Sequence, residues 1–126
     1  MKTKAILFLL AACFPVFFAG AQNGHAVAEW METIHNFGKI KQNEPVTYEF
    51  EFKNISLVPL LIMEVEPSCD CTVPEYPKHP IKPQESAKIA VTFDAKKTGN
   101  FYKSVKITLN TEDGYQILLI SGEVIP

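Results

Sequence analysis

The sequence predicts an all-β domain, a sandwich of about seven short strands, and three observations predict it. Apolar and polar residues alternate with a period of two in block after block, turn residues recur at intervals of about 8–12 residues, and no stretch past the N-terminus shows a helical period of 3.6. Alternation gives each strand one face to bury and one to wet, and two such sheets stacked face to face are the economical way to cover the buried sides.

The 126-residue chain is one domain by size, and shorter once its start is set aside. Residues 1–21 carry Lys2 and Lys4, then an apolar run, then Ala19-Gly20-Ala21 before Gln22. A charged start, an apolar middle and a small-x-small end are the plan of a secretory signal peptide, too short for a membrane span. Leu10-Ala11-Ala12-Cys13 offers a second reading, a lipobox with the lipid on Cys13, against which the apolar run continues past the cysteine. The expected location is therefore exported, periplasmic or secreted, with membrane attachment only through Cys13.

Residues 22–28 are expected to form a flexible tail and residues 29–126 the sandwich. Cutting after Ala21 removes Lys2 and Lys4 from the twelve basic residues and none of the fourteen acidic ones, leaving a formal charge of −4. Every basic residue is lysine, so there is no planar fork for bidentate phosphate or guanine contacts, and nucleic acid is excluded as a partner class. The lysines are dispersed, which disfavours an anionic membrane surface as well.

In chain order, Glu29–Ile34 alternates and suggests a first strand with Trp30 and Ile34 on one side. Gly38 then provides a bulge or turn. Val46–Lys53 alternates strictly, with Val46, Tyr48, Phe50 and Phe52 inward. Asn54–Pro59 turns the chain into a strand over Leu60–Val65. Ala87–Asp94 places Ala87, Ile89, Val91 and Phe93 inward, and Phe101–Leu109 does the same with Phe101, Val105, Ile107 and Leu109. Asp113-Gly114 marks a hairpin into the last strand, Tyr115–Val124.

Between the strands that end at Val65 and begin at Ala87 lies the least ordinary stretch, Cys69-Asp70-Cys71 followed by prolines at 74, 77, 80 and 83. Proline fixes φ and donates no N–H, so a proline at every third residue reads as a stiff polyproline II connector crossing one end of the sandwich. On a flat strand the two cysteines would face the same way with Cβ atoms roughly 6–7 Å apart, against about 3.8 Å in a disulfide, so bonding them requires a local bend.

Three readings of the pair stand in order: structural thiols or a local disulfide, a thiol–disulfide exchange role, and a soft-metal site of Cys69, Cys71 and His79. Redox chemistry is disfavoured by the absence of a basic residue within six positions and by Asp70 between the thiols. A closed zinc site lacks its fourth ligand. His35 reads as a hydrogen-bonded residue at a strand end, and the Glu49/Glu51 and Glu64/Glu66 pairs read as solvated strand faces. No phosphate loop or hydrolase motif occurs, and no cofactor is expected.

Asn54, Pro59-Leu60, Ser68-Cys69-Asp70-Cys71-Thr72, Tyr76-Pro77-Lys78, Pro80-Ile81 and Phe93-Asp94 ahead of a Gly-x-Phe turn together resemble the exported bacterial family called domain of unknown function 1573. The resemblance spans nearly all of residues 22–126 and implies an immunoglobulin-like antiparallel sandwich, similar to PapD-like and major-sperm-protein-like domains, with no assigned activity. The family usually has glycine where this chain has Asp70 and Pro-Gly-Glu where it has Pro83-Gln84-Glu85. The expected function is a non-enzymatic binding or structural module of the envelope. It would contact an unidentified protein partner through a sheet edge or through the connector residues Tyr76, Pro77, His79, Pro80 and Ile81. The alternative is a thiol-redox or metal-handling protein.

Overall fold

The computed structural model describes residues 12–16 and 24–126, so most of the expected leader lies outside the described residues. Among the described residues eight strands form two four-stranded sheets. They are β1 (Ala28–Trp30), β2 (Ile34–Lys41), β3 (Val46–Asn54), β4 (Ile62–Pro67), β5 (Thr72–Glu75), β6 (Ser86–Phe93), β7 (Gly99–Leu109) and β8 (Tyr115–Ile125). One sheet runs β1-β3-β6-β5 and the other β2-β8-β7-β4. All pairs are antiparallel except β2 with β8, which makes the second sheet mixed.

The alternating strands behave as their pattern requires. Phe50, Phe52, Ile89, Val91, Phe93, Val105, Ile107 and Leu109 are buried between the sheets, together with Leu118, Ile120 and Val124 from β8. Trp30 closes one side by packing on Phe52, ring centroids 4.7 Å apart. The Asp113-Gly114 hairpin forms where expected, joining β7 to β8.

Four expectations need correction. The strand expected over Glu29–Ile34 is two strands in different sheets, because the chain changes sheet between Trp30 and Ile34; Ile34 therefore faces water, 63% exposed, instead of sharing a side with Trp30. The 22–28 tail is held from Ala26 onward: Ala26 is buried, bridges Thr111, and donates its N–H to the Asn110 carbonyl at 3.2 Å. The strand expected to begin at Leu60 begins at Ile62, because Leu60 pairs instead with Ile81.

The fourth correction concerns the proline stretch, which is not one connector. Thr72–Glu75 is an edge strand, β5, and it tolerates Pro74 because an edge needs hydrogen bonds on one side only. The chain crosses between sheets before that point, over Ser68–Cys71. Residues 76–85 then return from β5 to β6 within the same sheet.

Gly38 has φ +72° and the β2–β8 register shifts there, as a bulge requires. Its carbonyl sits so close to Gly122 that a Cβ at 122 would lie 2.8 Å from it and from the Phe101 ring.

Candidate functional site

The turn that carries the cysteines is tied to both sheets. On one side Ser68 donates its N–H to the Ser104 carbonyl at 2.8 Å, and the Ser104 N–H returns a bond to Ser68 Oγ at 3.0 Å. On the other, Asp94 donates its N–H to the Cys71 carbonyl at 3.0 Å and Thr72 enters register with Phe93. Between these clamps Thr72 donates to the Cys69 carbonyl at 3.1 Å, closing a tight turn.

That turn supplies the bend the pair needs: Cys69 and Cys71 are joined in a disulfide, Cα atoms 5.2 Å apart. The Cys71 N–H points at Cys69 Sγ, 3.1 Å away. Asp70 is not among the non-glycine residues with positive φ, so the turn does not depend on the glycine usual in the resembling family. Gln84, by contrast, has φ +68° and occupies in left-handed geometry the position where that family has glycine.

The disulfide closes a three-residue loop, for which the chain-entropy argument gives no more than about 1.6 kcal/mol. Its sulfurs are bonded to each other and offer no thiolate to a metal, and His79 lies by Glu85 instead, Nε2 to Oε1 3.6 Å. Among the described residues no group of three or more His, Cys, Asp or Glu could hold a metal ion.

Beside the disulfide opens a hollow of about 320 Å³. Phe93 and Phe101, stacked with centroids 4.0 Å apart, form part of its wall, and Lys96, Lys97 and Lys103 line it together with both cysteines. Sequence spacing counted only near neighbours and so missed these lysines; the fold brings them from the β6–β7 loop and from β7. Lys103 was detectable in principle, because it shares the inward phase of Phe101, Val105 and Ile107 and pairs with Ile120. One carboxylate, Asp94, also lines the hollow and receives the Lys96 N–H at 3.1 Å.

The connector residues are placed differently from one another. Ile81 is fully buried and exchanges two backbone hydrogen bonds with Leu60, at 2.9 and 2.8 Å, so it is unavailable to a partner. Tyr76 packs against the core with Lys78 Nζ 3.3 Å from its ring centroid, and Pro77 is half-buried. His79 and Pro80 are exposed.

The connector is held by Asn54, a fully buried residue that strand alternation does not single out and that stands out in the sequence only through its place in the resemblance. Its Nδ2 donates to the Val58 and Ile81 carbonyls at 2.8 and 2.9 Å, and its Oδ1 accepts from Ser56 N and Oγ.

Among the described residues two sheet edges, β2 and β4, are long enough to receive a strand. β2 is interrupted by the Gly38 bulge and carries exposed Lys39 and Lys41, both devices that discourage pairing. Among the described residues β4 pairs with β7 alone; its register shifts between Ile62 and Glu64 and it ends in Pro67, but it carries no lysine, and it exposes Met63, with Leu61 just before the strand. Glu64 and Glu66 lie on the same strand, and the Glu64 carboxyl titrates above its ordinary range because it hydrogen-bonds and repels Glu66, with Lys106 opposing. His35, expected at a strand end with a hydrogen bond, lies within β2 and stacks on Tyr48 with centroids 3.6 Å apart. Glu49 meets Lys88 at 3.4 Å in an exposed ion pair.

The family model described as "Protein of unknown function (DUF1573)" matches residues 28–124. No curated protein matches the chain. Among solved structures, a protein of unknown function from Porphyromonas gingivalis W83 superposes with a TM-score of 0.72 at 18% identity, covering 86% of this chain and 51% of that one. This chain thus spans about half the length of that relative. A PapD-like domain of human CEP192 gives 0.63 at 11% identity, covering 80% and 87%. The VesB protease of Vibrio cholerae gives 0.61 at 13%, covering 81% of this chain and 32% of that one. At these identities the likeness is one of fold, a PapD-like sandwich.

Proposed function

We propose that this chain, which belongs to the DUF1573 family, is a non-enzymatic binding module of the bacterial envelope, exported behind residues 1–21, that receives an extended, basic segment of a partner protein along the free edge of β4. The observation that carries this reading is the chemistry of that edge. β4 offers an unshared row of backbone groups beside Met63, which is 60% exposed, and two glutamates that repel each other. Adding a strand satisfies the backbone row, covers the methionine, and relieves the glutamate pair if the incoming segment carries lysine or arginine.

The proline connector is the weaker contact surface. Ile81 and Tyr76, two of its most apolar side chains, are committed to the core, which leaves His79 and Pro80 to face outward.

A photo-cross-linking residue placed at position 63 in cells is expected to capture a partner protein. The same residue at 102, exposed on the outer face of β7, is expected to capture none. Glu64→Gln with Glu66→Gln should weaken capture about tenfold, as loss of two complementary charges implies. Equal capture from 63 and 102, or capture indifferent to the glutamates, overturns the edge assignment. Substrate turnover abolished by a single substitution would overturn the non-enzymatic reading.

A further inference from the structure

The hollow beside the disulfide contains more positive charge than the fold explains. Lys103 occupies an inward position on β7, between Phe101 and Val105, where the pattern calls for an apolar side chain. Lys96 and Lys97 join it from the adjoining loop, and among the described residues none of the three has a carboxylate oxygen within 4.0 Å. The disulfide they surround closes too small a loop to stabilise the fold much, and its turn is already clamped to both sheets by backbone hydrogen bonds. Both sulfur-bearing residues are partly exposed at the hollow's wall.

We propose that the Cys69–Cys71 disulfide is an exchange site for small anionic thiols, which enter this hollow and are steered by Lys96, Lys97 and Lys103. The proposal is independent of partner binding at β4, since it uses none of the residues of that edge.

The step is an ordinary exchange. The incoming thiol loses its proton to solvent, and its thiolate attacks Cys71 Sγ in line with the S–S bond. A new bond forms between that sulfur and Cys71, the Cys69–Cys71 bond breaks, and Cys69 leaves with the electron pair as a thiolate. No net oxidation occurs, because one thiolate is consumed and one released. Cys69 is the better leaving group because the Cys71 N–H already points at its sulfur at 3.1 Å and would stabilise the charge. The clamps at Ser68 and Cys71 keep the two sulfurs close, so the Cys69 thiolate can return, reclose the disulfide and expel the small thiol. Asp70 and Asp94 are the opposing charges; Asp94 lines the hollow and accepts the Lys96 backbone N–H at 3.1 Å, so three lysines there stand against one lining carboxylate.

If the three ammonium groups point away from the disulfide into solvent, the charge of the attacking thiol makes little difference to its rate. The test compares 2-mercaptoethanesulfonate with uncharged 2-mercaptoethanol at equal thiolate concentration, following disulfide opening by alkylation and mass analysis of the 68–72 peptide. The anionic thiol is expected to react about five- to tenfold faster at low ionic strength, with the adduct on Cys71 and the preference lost in high salt.

The Lys96→Gln, Lys97→Gln, Lys103→Gln variant is expected to bring the ratio close to one. Lys78→Gln with Lys82→Gln, in the connector, should leave it unchanged. Equal rates for the two thiols in the unmodified protein overturn the proposal, as does a preference that survives the triple substitution, and an adduct on Cys69 overturns the direction of attack. If the triple variant does not fold, the salt dependence of the unmodified protein decides the same question.

Discussion

Between Ser68 and Glu85 the chain does two different things with equally conspicuous residues. The disulfide turn crosses from one sheet to the other at one end of the sandwich, partly exposed and bordered by lysines. The connector that follows stays with its own sheet and anchors the opposite end through two fully buried residues, Ile81 of its own and Asn54 of β3. The covalent bond lies where the backbone is already fixed by hydrogen bonds. The non-covalent anchor lies where a ten-residue segment would otherwise hang free. Stability and reactivity are thus separated: the connector carries the first, the turn is available for the second.

The sharpest way to break this contrast is to attack the anchor. Ile81→Ala should destabilise the protein by about 3–4 kcal/mol, combining lost burial with a cavity in a tightly packed place. Asn54→Ala should cost about 3 kcal/mol, because the Ile81 and Val58 carbonyls lose a donor and the Ser56 N–H and hydroxyl lose their acceptor. Urea denaturation followed by intrinsic fluorescence reads both. Losses below about 1 kcal/mol in both variants would mean that the connector is not an anchor.

A smaller effect is expected from the feature that catches the eye first. Replacing Cys69 and Cys71 together by serine should cost about 1–1.6 kcal/mol, bounded by the entropy of a three-residue loop. The same denaturation curves measure it. A loss as large as that of Ile81→Ala would show that the disulfide is the structural clip of the crossover and would erase the distinction between the two regions.

How much of this was legible in the sequence follows from what each signal depends on. Period-two alternation is local, so β3, β6, β7 and β8 were readable almost to their ends. The division of the first strand was not, because both halves alternate and only the change of sheet after Trp30 turns Ile34 outward. β5 was hidden by Pro74, which is incompatible with a central strand and acceptable on an edge; the sequence does not say which strands are edges.

The same limit applied at the site. The cysteine pair is visible in the sequence, but no basic residue lies near it along the chain. Lys96, Lys97 and Lys103 reach it through tertiary structure, and only the inward phase of Lys103 hinted at this. Asn54 gave less signal still: at the end of a strand an asparagine reads as a turn residue, and its hydrogen-bond partners at Val58 and Ile81 become apparent only when the chain is folded.

The finest test of the contrast is the acid sensitivity of the connector. The Glu85 carboxylate receives the Lys82 N–H at 2.9 Å and lies by His79, and these contacts hold its pKa below the ordinary value, the Lys82 bond contributing most. A carboxyl whose pKa is depressed by folding stabilises the folded state above its unfolded pKa, and that contribution fades as pH falls through the lower, folded value. As pH falls from the ordinary glutamate pKa of about 4 towards the lower folded value, Lys82 and Glu85 should lose their mutual constraint, and the protection of the Lys82 amide relative to its intrinsic exchange rate should fall ahead of protection in β7. Glu85→Gln should remove most of this acid-dependent step while leaving exchange around Ser68 and Cys71 unaltered, because that turn is clamped by backbone groups that do not titrate. If acid loosened the turn and the connector together, the two regions would be one cooperative unit, and the separation of stability from reactivity would fail.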